Sequence, residues 1–276
     1  MILVTGATGT VGSAVFHELL ERGEQVRAMT RNPASLGAHV VFGDFERPET
    51  LAAAAHGVDT LFLLAAAGPT QAAHDLAMLA AARAQGVGRV VKLSAIGTPD
   101  DDAPTRLEAW HRPGEVAVRA SGLAWTILRP TTFASNSLSW AGAIRSGTPV
   151  SNMFGAGAQG VVDPADVAAV AVAALTGDGH FARTYTLTGP DLLSVPDQVG
   201  LLGAVLGRPT STVDIGLDEA RDQLAGLAKE FVDAVIAGAA YVRDGANAIV
   251  TDDVARVLGR PPRSFRDWAL EHRTAF

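Results

Sequence analysis

Residues 1–13 read MILVTGATGTVGS, an apolar run followed by a turn that contains Gly6, Gly9 and Gly12. The apolar run predicts a short buried β-strand, and the spacing of apolar residues over Thr10–Arg22 predicts an α-helix. A glycine-rich turn between a strand and a helix lets the backbone approach a pyrophosphate, whose charge is stabilised by the N–H groups and the dipole at the helix start. The stretch therefore predicts a dinucleotide-binding site in an α/β fold.

The glycine spacing narrows the kind of phosphate site. It is Gly-x-x-Gly-x-x-Gly, which resembles the extended and atypical short-chain dehydrogenase/reductases, and no Lys-Ser or Lys-Thr follows Gly12 to make a Walker phosphate loop. A turn that only permits tight packing is the alternative interpretation. The residues expected to contact the cofactor in this stretch are Gly6, Thr8, Gly9, Thr10, Val11 and Gly12.

Strand-like and helix-like segments alternate along the first half of the chain. Strands are predicted at Ile2–Thr5, Gln25–Met29, His39–Phe42, Thr60–Leu64, Arg89–Leu93 and Ala124–Leu128. Helices are predicted at Thr10–Arg22, Pro48–His56, Thr70–Gln85 and Pro104–Ala120. This alternation predicts a Rossmann-type, doubly wound parallel sheet with helices on both faces, in which ligands gather at the carboxyl ends of the strands.

Beyond about residue 130 the alternation loosens. Loops are predicted over Ala134–Ser139 and Ser146–Gly160, a strand at Tyr185–Leu187, and helices at Asp163–Leu175, Ser194–Leu206 and Leu217–Tyr241. We therefore expect a smaller C-terminal α/β lobe. The predicted division is an NAD(P)-binding Rossmann domain over residues 1–150 and a substrate-binding lobe over residues 151–276, interleaved with the first rather than cleanly separate.

The composition excludes several classes of function. The chain has 276 residues and a formal net charge of −7, which argues against nonspecific nucleic-acid binding. It has no cysteine, and its seven histidines show no close pairing of the kind a zinc site uses, so no metal is predicted. A strand at residue 1 leaves no room for a signal peptide, and no apolar run reaches membrane-spanning length. We expect a cytoplasmic protein with a small-molecule substrate, and an oligomer is possible.

The end of the second predicted strand indicates which dinucleotide is bound. An acidic residue there binds the 2′-OH of NAD, whereas an arginine accommodates the 2′-phosphate of NADP. Residues 29–33 read MTRNP, which offers Arg31 and no carboxylate. The sequence therefore predicts that NADP(H) is preferred and that NAD(H) is possible; a solvated surface arginine is the alternative.

The ends of the third and fourth strands supply further candidates. In extended short-chain reductases a Gly-Asp pair followed by an apolar residue borders the adenine, and Asp44 and Phe45 follow Gly43 here. A helix cap before Pro48 is the alternative role for Asp44. Ala65 and Ala66 end the fourth strand in small residues that suit the second ribose, or ordinary close packing.

The usual catalytic acid of short-chain dehydrogenases is absent. Those enzymes use a tyrosine four residues before a lysine, which lowers the phenol pKa. The two tyrosines of this chain, Tyr185 and Tyr241, are followed four positions later by glycines. A ketoreductase or sugar-nucleotide epimerase is therefore disfavoured.

Several segments together resemble the NmrA-like atypical short-chain reductases, including quinone reductase-like and triphenylmethane reductase-like members. The matching segments are the TGATG start at 5–9, Arg31, the Gly-Asp pair at 43–44, residues 93–95, the run SGLAWTILRP at 121–130 and YTLTGP at 185–190. The similarity spans nearly the whole chain. It implies a reductase or, as in the members that gave the family its name, a dinucleotide-sensing regulator that is not an enzyme.

The resemblance also implies catalytic positions. A lysine of related plant reductases often occupies the position of His111, and Glu115 lies four residues later. We expect His111 to donate a proton to a substrate oxygen or to position that oxygen, with Glu115 orienting the ring. An exposed histidine beside a helix start is the alternative. Ser94 ends the fifth strand, where relatives place a catalytic serine; here it is expected to bond the nicotinamide or to cap a turn.

The remaining candidates follow the fifth and sixth strands. Lys92 is assigned to the cofactor site, although its side chain could instead reach past the sheet edge to solvent. Thr132 and Phe133 are expected against the nicotinamide. Asn136, Trp140 and Phe154 are expected to contact the substrate, and the two aromatic residues could instead fill the core.

These observations leave two functions from different classes. The first is an NAD(P)H-dependent oxidoreductase that transfers hydride to a quinone, an enone or another aromatic carbonyl compound, whose reduced anion needs no strong acid. The second is a non-catalytic NAD(P)-sensing regulatory protein. The glycine turn suits both functions, and the fold does not separate them.

Overall fold

The computed structural model describes residues 1–33, 39–98 and 110–276. Seven strands form one parallel sheet in the order β3-β2-β1-β4-β5-β6-β9. Their bounds are β1 Ile2–Val4, β2 Val26–Thr30, β3 Val40–Phe42, β4 Thr60–Leu63, β5 Arg89–Leu93, β6 Ala124–Pro130 and β9 Arg183–Leu187. The predicted doubly wound parallel sheet is confirmed.

The strand order reverses beside β1. The chain runs outward from β1 through β2 to β3, then crosses back to β4 on the other side of β1. Leu3 of β1 lies between Arg27 of β2 and Leu61 of β4. In open α/β sheets, ligands bind at the carboxyl ends of the strands where the order reverses, so this end of β1 and β4 is the expected cofactor site.

Eleven α-helices lie in the described ranges. They are α1 Thr10–Glu21, α2 Leu51–Ala54, α3 Gln71–Ala84, α4 Arg112–Ala120, α5 Ala141–Ser146, α6 Pro164–Thr176, α7 Val195–Leu206, α8 Leu217–Gln223, α9 Lys229–Arg243, α10 Asp253–Leu258 and α11 Phe265–Glu271. Four short strands form two small sheets: β8 Gln159–Gly160 with β10 Leu192–Leu193, and β7 Val150–Asn152 with β11 Thr212–Asp214. No helix of the described ranges is long and apolar enough to cross a membrane.

The chain divides into two compact units. Among the described residues, the sheet unit contains 1–33, 39–98, 110–129 and 167–186, and the second unit contains 130–166 and 187–276. Both units therefore contain segments from either side of residue 150, and the division into domains 1–150 and 151–276 stays a prediction. Each unit has its own hydrophobic core, which in the second unit is built around Phe265 and Trp268.

The C-terminal half contains the main departures from the predicted elements. Residues predicted as a loop form a 3₁₀ helix, Ala134–Trp140, and the loop predicted over Ser146–Gly160 contains β7 and β8. The single helix predicted over Leu217–Tyr241 is two helices, since α8 ends at Gln223 and turns at residues 224–227 separate it from α9. Of the helix predicted over Pro104–Ala120, residues 104–109 lie outside the described residues.

Candidate active site

The glycine turn has the geometry of a phosphate site. Gly6 has a φ of +64°, which favours glycine, and a Cβ on Gly12 would lie 2.1 Å from the Gly6 carbonyl oxygen. Gly9 is extended, and a Cβ there would meet only that oxygen, at 3.4 Å. Helix α1 begins at Thr10 with no side-chain cap. Its first N–H groups are therefore available to a pyrophosphate, and the turn fits a dinucleotide.

Side-chain hydrogen bonds hold the carboxyl ends of β1 and β4 together. The buried Thr5 hydroxyl accepts from the Leu64 N–H at 2.8 Å and lies 3.0 Å from the Leu64 carbonyl oxygen. Ala65 is buried beyond this bond and Ala66 is exposed. The residues that follow β4 are therefore small, which is compatible with a ribose bound beside them. The burial of Ala65 fits the alternative of ordinary close packing, and contacts of Ala65 and Ala66 with the ribose remain predictions.

The residues expected around the adenosine lie at the ends of β2 and β3. Arg31 is exposed immediately after Thr30 ends β2. Asp44 accepts the Glu46 N–H at 3.1 Å, so it forms a turn before Pro48. The Phe45 ring stacks on His74 with centroids 5.2 Å apart. Asp44 does not cap the 3₁₀ helix Pro48–Thr50, which begins after Arg47 without a side-chain cap, so the capping alternative is wrong. Cofactor contacts of Arg31, Asp44 and Phe45 remain predictions.

Both oxygens of the Glu115 carboxylate accept hydrogen bonds from other side chains. Arg129 donates to both of its oxygens, at 2.9 and 2.7 Å, and Arg119 donates to Oε2 at 2.9 Å. The Ser94 hydroxyl donates to Oε1 at 2.5 Å. Glu115 therefore does not orient the His111 ring, because four donors already saturate its oxygens. The Ser94 hydroxyl has one proton, and it donates that proton in the hydrogen bond to Glu115. Ser94 can therefore only accept a further hydrogen bond.

His111 pairs instead with a glutamine. The Gln71 amide nitrogen, at the start of α3, lies 2.7 Å from His111 Nδ1, just before α4 begins. His111 is only 9% exposed, so the surface interpretation is wrong. Burial, and secondarily the charge of Lys92, lower the pKa of His111 to about 3. The ring is therefore neutral at pH 7, and it can donate a hydrogen bond but is not a strong acid.

Lys92 is completely buried, and its ammonium lies 2.6 Å from the Asp75 carboxylate of α3. The interpretation that the Lys92 side chain reaches past the sheet edge to solvent is therefore wrong, because the ammonium pairs with a buried carboxylate. Burial raises the pKa of Asp75, and the attraction of Lys92 opposes that shift. Gly114 of α4 lies directly over the pair, where an added Cβ would lie 2.1 Å from Asp75 Oδ2. A direct role of Lys92 in cofactor binding remains a prediction.

The remaining candidates lie in the second unit. Thr132 donates to the Gln159 side chain at 2.7 Å, Phe133 forms a bridge with Val162, and Asn136 is exposed. Trp140 and Phe154 both pack against the hydrophobic core of this unit. The core-filling interpretation therefore accounts for the contacts of these two aromatic residues, and their substrate contacts remain predictions.

Sequence reasoning missed four polar residues of the sheet unit: Thr5, Gln71, Asp75 and Arg129. A signal was present for two of them, since Gln71 and Asp75 are one helical turn apart in an alanine-rich helix. Their partners, His111 and Lys92, come from distant parts of the sequence. Among the described residues there is also no group of three His, Asp or Glu side chains that could hold a metal ion.

Comparisons with known proteins agree with this architecture. A family described as NAD(P)H-binding matches residues 6–178. The chain is 44% identical to a (4-alkanoyl-5-oxo-2,5-dihydrofuran-3-yl)methyl phosphate reductase of Streptomyces griseus, covering 100% of this chain and 99% of that protein. It is 36% identical to an NAD(P)H azoreductase of Xenophilus azovorans, with the same coverage of each chain.

A solved structure shares the fold. The NADPH-dependent quinone oxidoreductase of Escherichia coli, crystallised with NADPH, superimposes with a TM-score of 0.87 at 24% identity, over 98% of this chain and 99% of that one. The family match covers more than half of the chain, and both relatives align along their whole length. The chain belongs to the NAD(P)H-binding family of NmrA-like, atypical short-chain dehydrogenase/reductases.

Proposed function

We propose that this protein is an NADPH-dependent reductase of quinones and of α,β-unsaturated carbonyl compounds. The observation that carries the proposal is the burial of His111 with its Nδ1 2.7 Å from the Gln71 amide nitrogen. Burial, and secondarily the charge of Lys92, lower the pKa of this ring to about 3. The chain has no Tyr-x-x-x-Lys pair, and the Ser94 hydroxyl already donates its hydrogen bond to Glu115. The described residues of the candidate site therefore offer hydrogen-bond donation and no strong acid.

This arrangement suits substrates whose reduced form is a stabilised anion. Bound NADPH supplies a hydride, and its addition to a quinone or to a conjugated carbon–carbon double bond leaves negative charge delocalised onto oxygen. A neutral histidine N–H stabilises such charge without transferring its proton. A simple ketone would instead give a localised, strongly basic alkoxide, which requires proton donation.

The names of the relatives support the same substrate class. The Streptomyces griseus protein acts on a dihydrofuranone that carries an alkanoyl group, and the Xenophilus azovorans protein is an azoreductase. An acylated unsaturated lactone and an azo compound are both electron-poor acceptors. We extend only this shared property to the present chain. Arg31 supports a preference for NADPH, and cytoplasmic location and any oligomerisation remain part of the proposal.

The test is oxidation of NADPH by the purified protein, followed at the absorbance of the reduced nicotinamide. The panel contains quinones, enones activated by one and by two carbonyl groups, azo compounds and simple ketones. We expect turnover with quinones and activated enones and none with simple ketones. Binding of NADPH without turnover of any compound would refute the reductase and favour the regulatory alternative.

Two histidine variants locate the chemistry. His111→Ala should lower kcat/KM, less with quinones than with singly activated enones, because the quinone anion needs less stabilisation. His180→Ala is the matched control, since His180 lies in the same unit with Tyr185 as its partner. Equal activity of the two variants on every accepted substrate would remove His111 from the site.

A further inference from the structure

We propose that Gln71 is a positioning residue that fixes the proton of His111 on Nε2, so that the ring is presented as a neutral donor. This inference rests on the proposed function, because it deepens the role of His111 in that site. It assigns a task to a residue that sequence patterns did not single out.

The hydrogen bond itself determines where the ring proton lies. The Gln71 amide nitrogen is 2.7 Å from His111 Nδ1, and an amide nitrogen is only a donor. Nδ1 must then accept, so the single proton of the neutral ring lies on Nε2. No other hydrogen bond of this ring occurs among the described residues.

The surrounding charges keep the ring neutral. From β5, Lys92 opposes a second positive charge, and Asp75 of α3 is already paired with Lys92 at 2.6 Å. From α4, Glu115 is saturated by Ser94, Arg119 and Arg129. His74 of α3 pairs with the exposed Glu46. Each of these three carboxylates already has a partner other than His111, and burial keeps the ring neutral across the physiological range of pH.

The burial of Gln71 does not favour the stability of the folded protein. The residue is 1% exposed, and its amide oxygen has no hydrogen-bond partner among the described residues. A buried oxygen without a partner is destabilising, so an apolar residue of similar size would serve packing better. Within the described part of the chain, the bond to His111 is the only hydrogen bond of this side chain, which points to a functional reason for the amide.

Nitrogen NMR on the full-length protein with NADPH tests the proton assignment directly. With 15N-labelled histidine, and with His111→Ala to identify the signal, we expect Nδ1 to be unprotonated and Nε2 protonated from pH 5 to 9. Gln71→Met should give a mixture of tautomers. Gln71→Glu should place a proton on Nδ1 and produce an imidazolium near neutral pH, because a carboxylate accepts from Nδ1.

Kinetics test whether the fixed proton matters. Gln71→Met should lower kcat/KM for an activated enone about tenfold, the effect of losing one hydrogen bond, with no change in the KM for NADPH. Gln71→Glu should retain activity but acquire an ionisation in its pH profile. Gln198→Met is the matched control, because Gln198 is another buried glutamine, in α7 of the second unit.

The outcomes separate the two proposals. A protonated Nδ1 in the wild type, or a folded Gln71→Met variant with unchanged tautomer and kinetics, would overturn the role of Gln71 while leaving the reductase intact. The expected tautomer in a protein that reduces nothing in the panel would overturn the proposed function and support only the assignment of the proton. Circular dichroism verifies that each variant is folded.

Discussion

Replacing Gly114 with alanine tests whether the buried ion pair requires a glycine above it. A Cβ at this position would lie 2.1 Å from Asp75 Oδ2 and 2.9 Å from Lys92 Cε. Ordinary contact begins near 3.4 Å, so the carboxylate would have to move by more than 1 Å. Oδ2 is the same oxygen that the Lys92 ammonium contacts at 2.6 Å. The added methyl group therefore cannot be accommodated without disturbing the pair.

The expected cost combines opposing effects. Overpacking a close-packed interior costs about 1–3 kcal/mol, and breaking a buried ion pair costs about 3–5 kcal/mol when one charge is left unpaired. Alanine in place of glycine returns up to about 1 kcal/mol of helix propensity. Since helix α4 can shift to relieve part of the clash, we expect Gly114→Ala to reduce the free energy of unfolding by about 2–4 kcal/mol.

The assay is urea denaturation monitored by circular dichroism, with Gly200→Ala as the control. Gly200 lies inside α7 with nothing within 4 Å of an added Cβ. Its substitution should stabilise the protein by about 0.5–1 kcal/mol. If Gly114→Ala were as stable as Gly200→Ala, the close approach of α4 to the ion pair would be wrong.

Three further predictions concern the cofactor and pH. Arg31→Ala should weaken NADPH binding by about 1–3 kcal/mol and leave NADH binding unchanged in calorimetry; equal losses would remove the 2′-phosphate assignment. Gly12→Ala should abolish binding of both dinucleotides, since its Cβ would lie 2.1 Å from the Gly6 carbonyl oxygen and displace the turn; unchanged affinity would contradict this. The pKa of His111 falls from 6.5 when unfolded to about 3 when folded, so stability is fully present above pH 6.5 and declines as pH falls towards 3. The folded His111→Gln variant should lose less stability over this range, and parallel curves would contradict the shift.

The fold was predictable because its signals are local. The segment at 1–13 contains its own strand, turn and helix start, and the first six strands of the sheet lie within one or two residues of their predicted bounds. The C-terminal half gave weaker signals. The helix predicted over residues 217–241 is interrupted at residues 224–228, a segment that contains no proline to indicate the break. Short strands such as the two-residue β8 contain too few residues to show the alternation of apolar and polar side chains that identifies a strand.

The polar contacts of the site were not predictable because they join distant segments. His111 and Glu115 are four residues apart, which suggested one helical face, but His111 precedes the first residue of α4. Gln71 of α3 pairs with His111, whereas Glu115 binds Ser94, which follows β5, Arg129 of β6 and Arg119 of α4. The sequence spacing therefore suggested one pair where the structure has two separate networks. Only the three-dimensional packing shows that Gln71 takes the place expected for Glu115.

The buried Lys92–Asp75 pair sets the distance between two helix starts. Helix α3 begins at Gln71 and places Asp75 one turn later, while α4 places Gly114 about one turn after His111. Because Gly114 has no side chain, α4 rests directly on the ion pair, and this approach brings His111 within 2.7 Å of Gln71. The same ammonium that anchors this packing also disfavours a charge on His111. The buried lysine thus supports the position of the proposed donor and adds to the effect of burial in keeping it neutral, which accounts for keeping a charge where an apolar residue would cost less to bury.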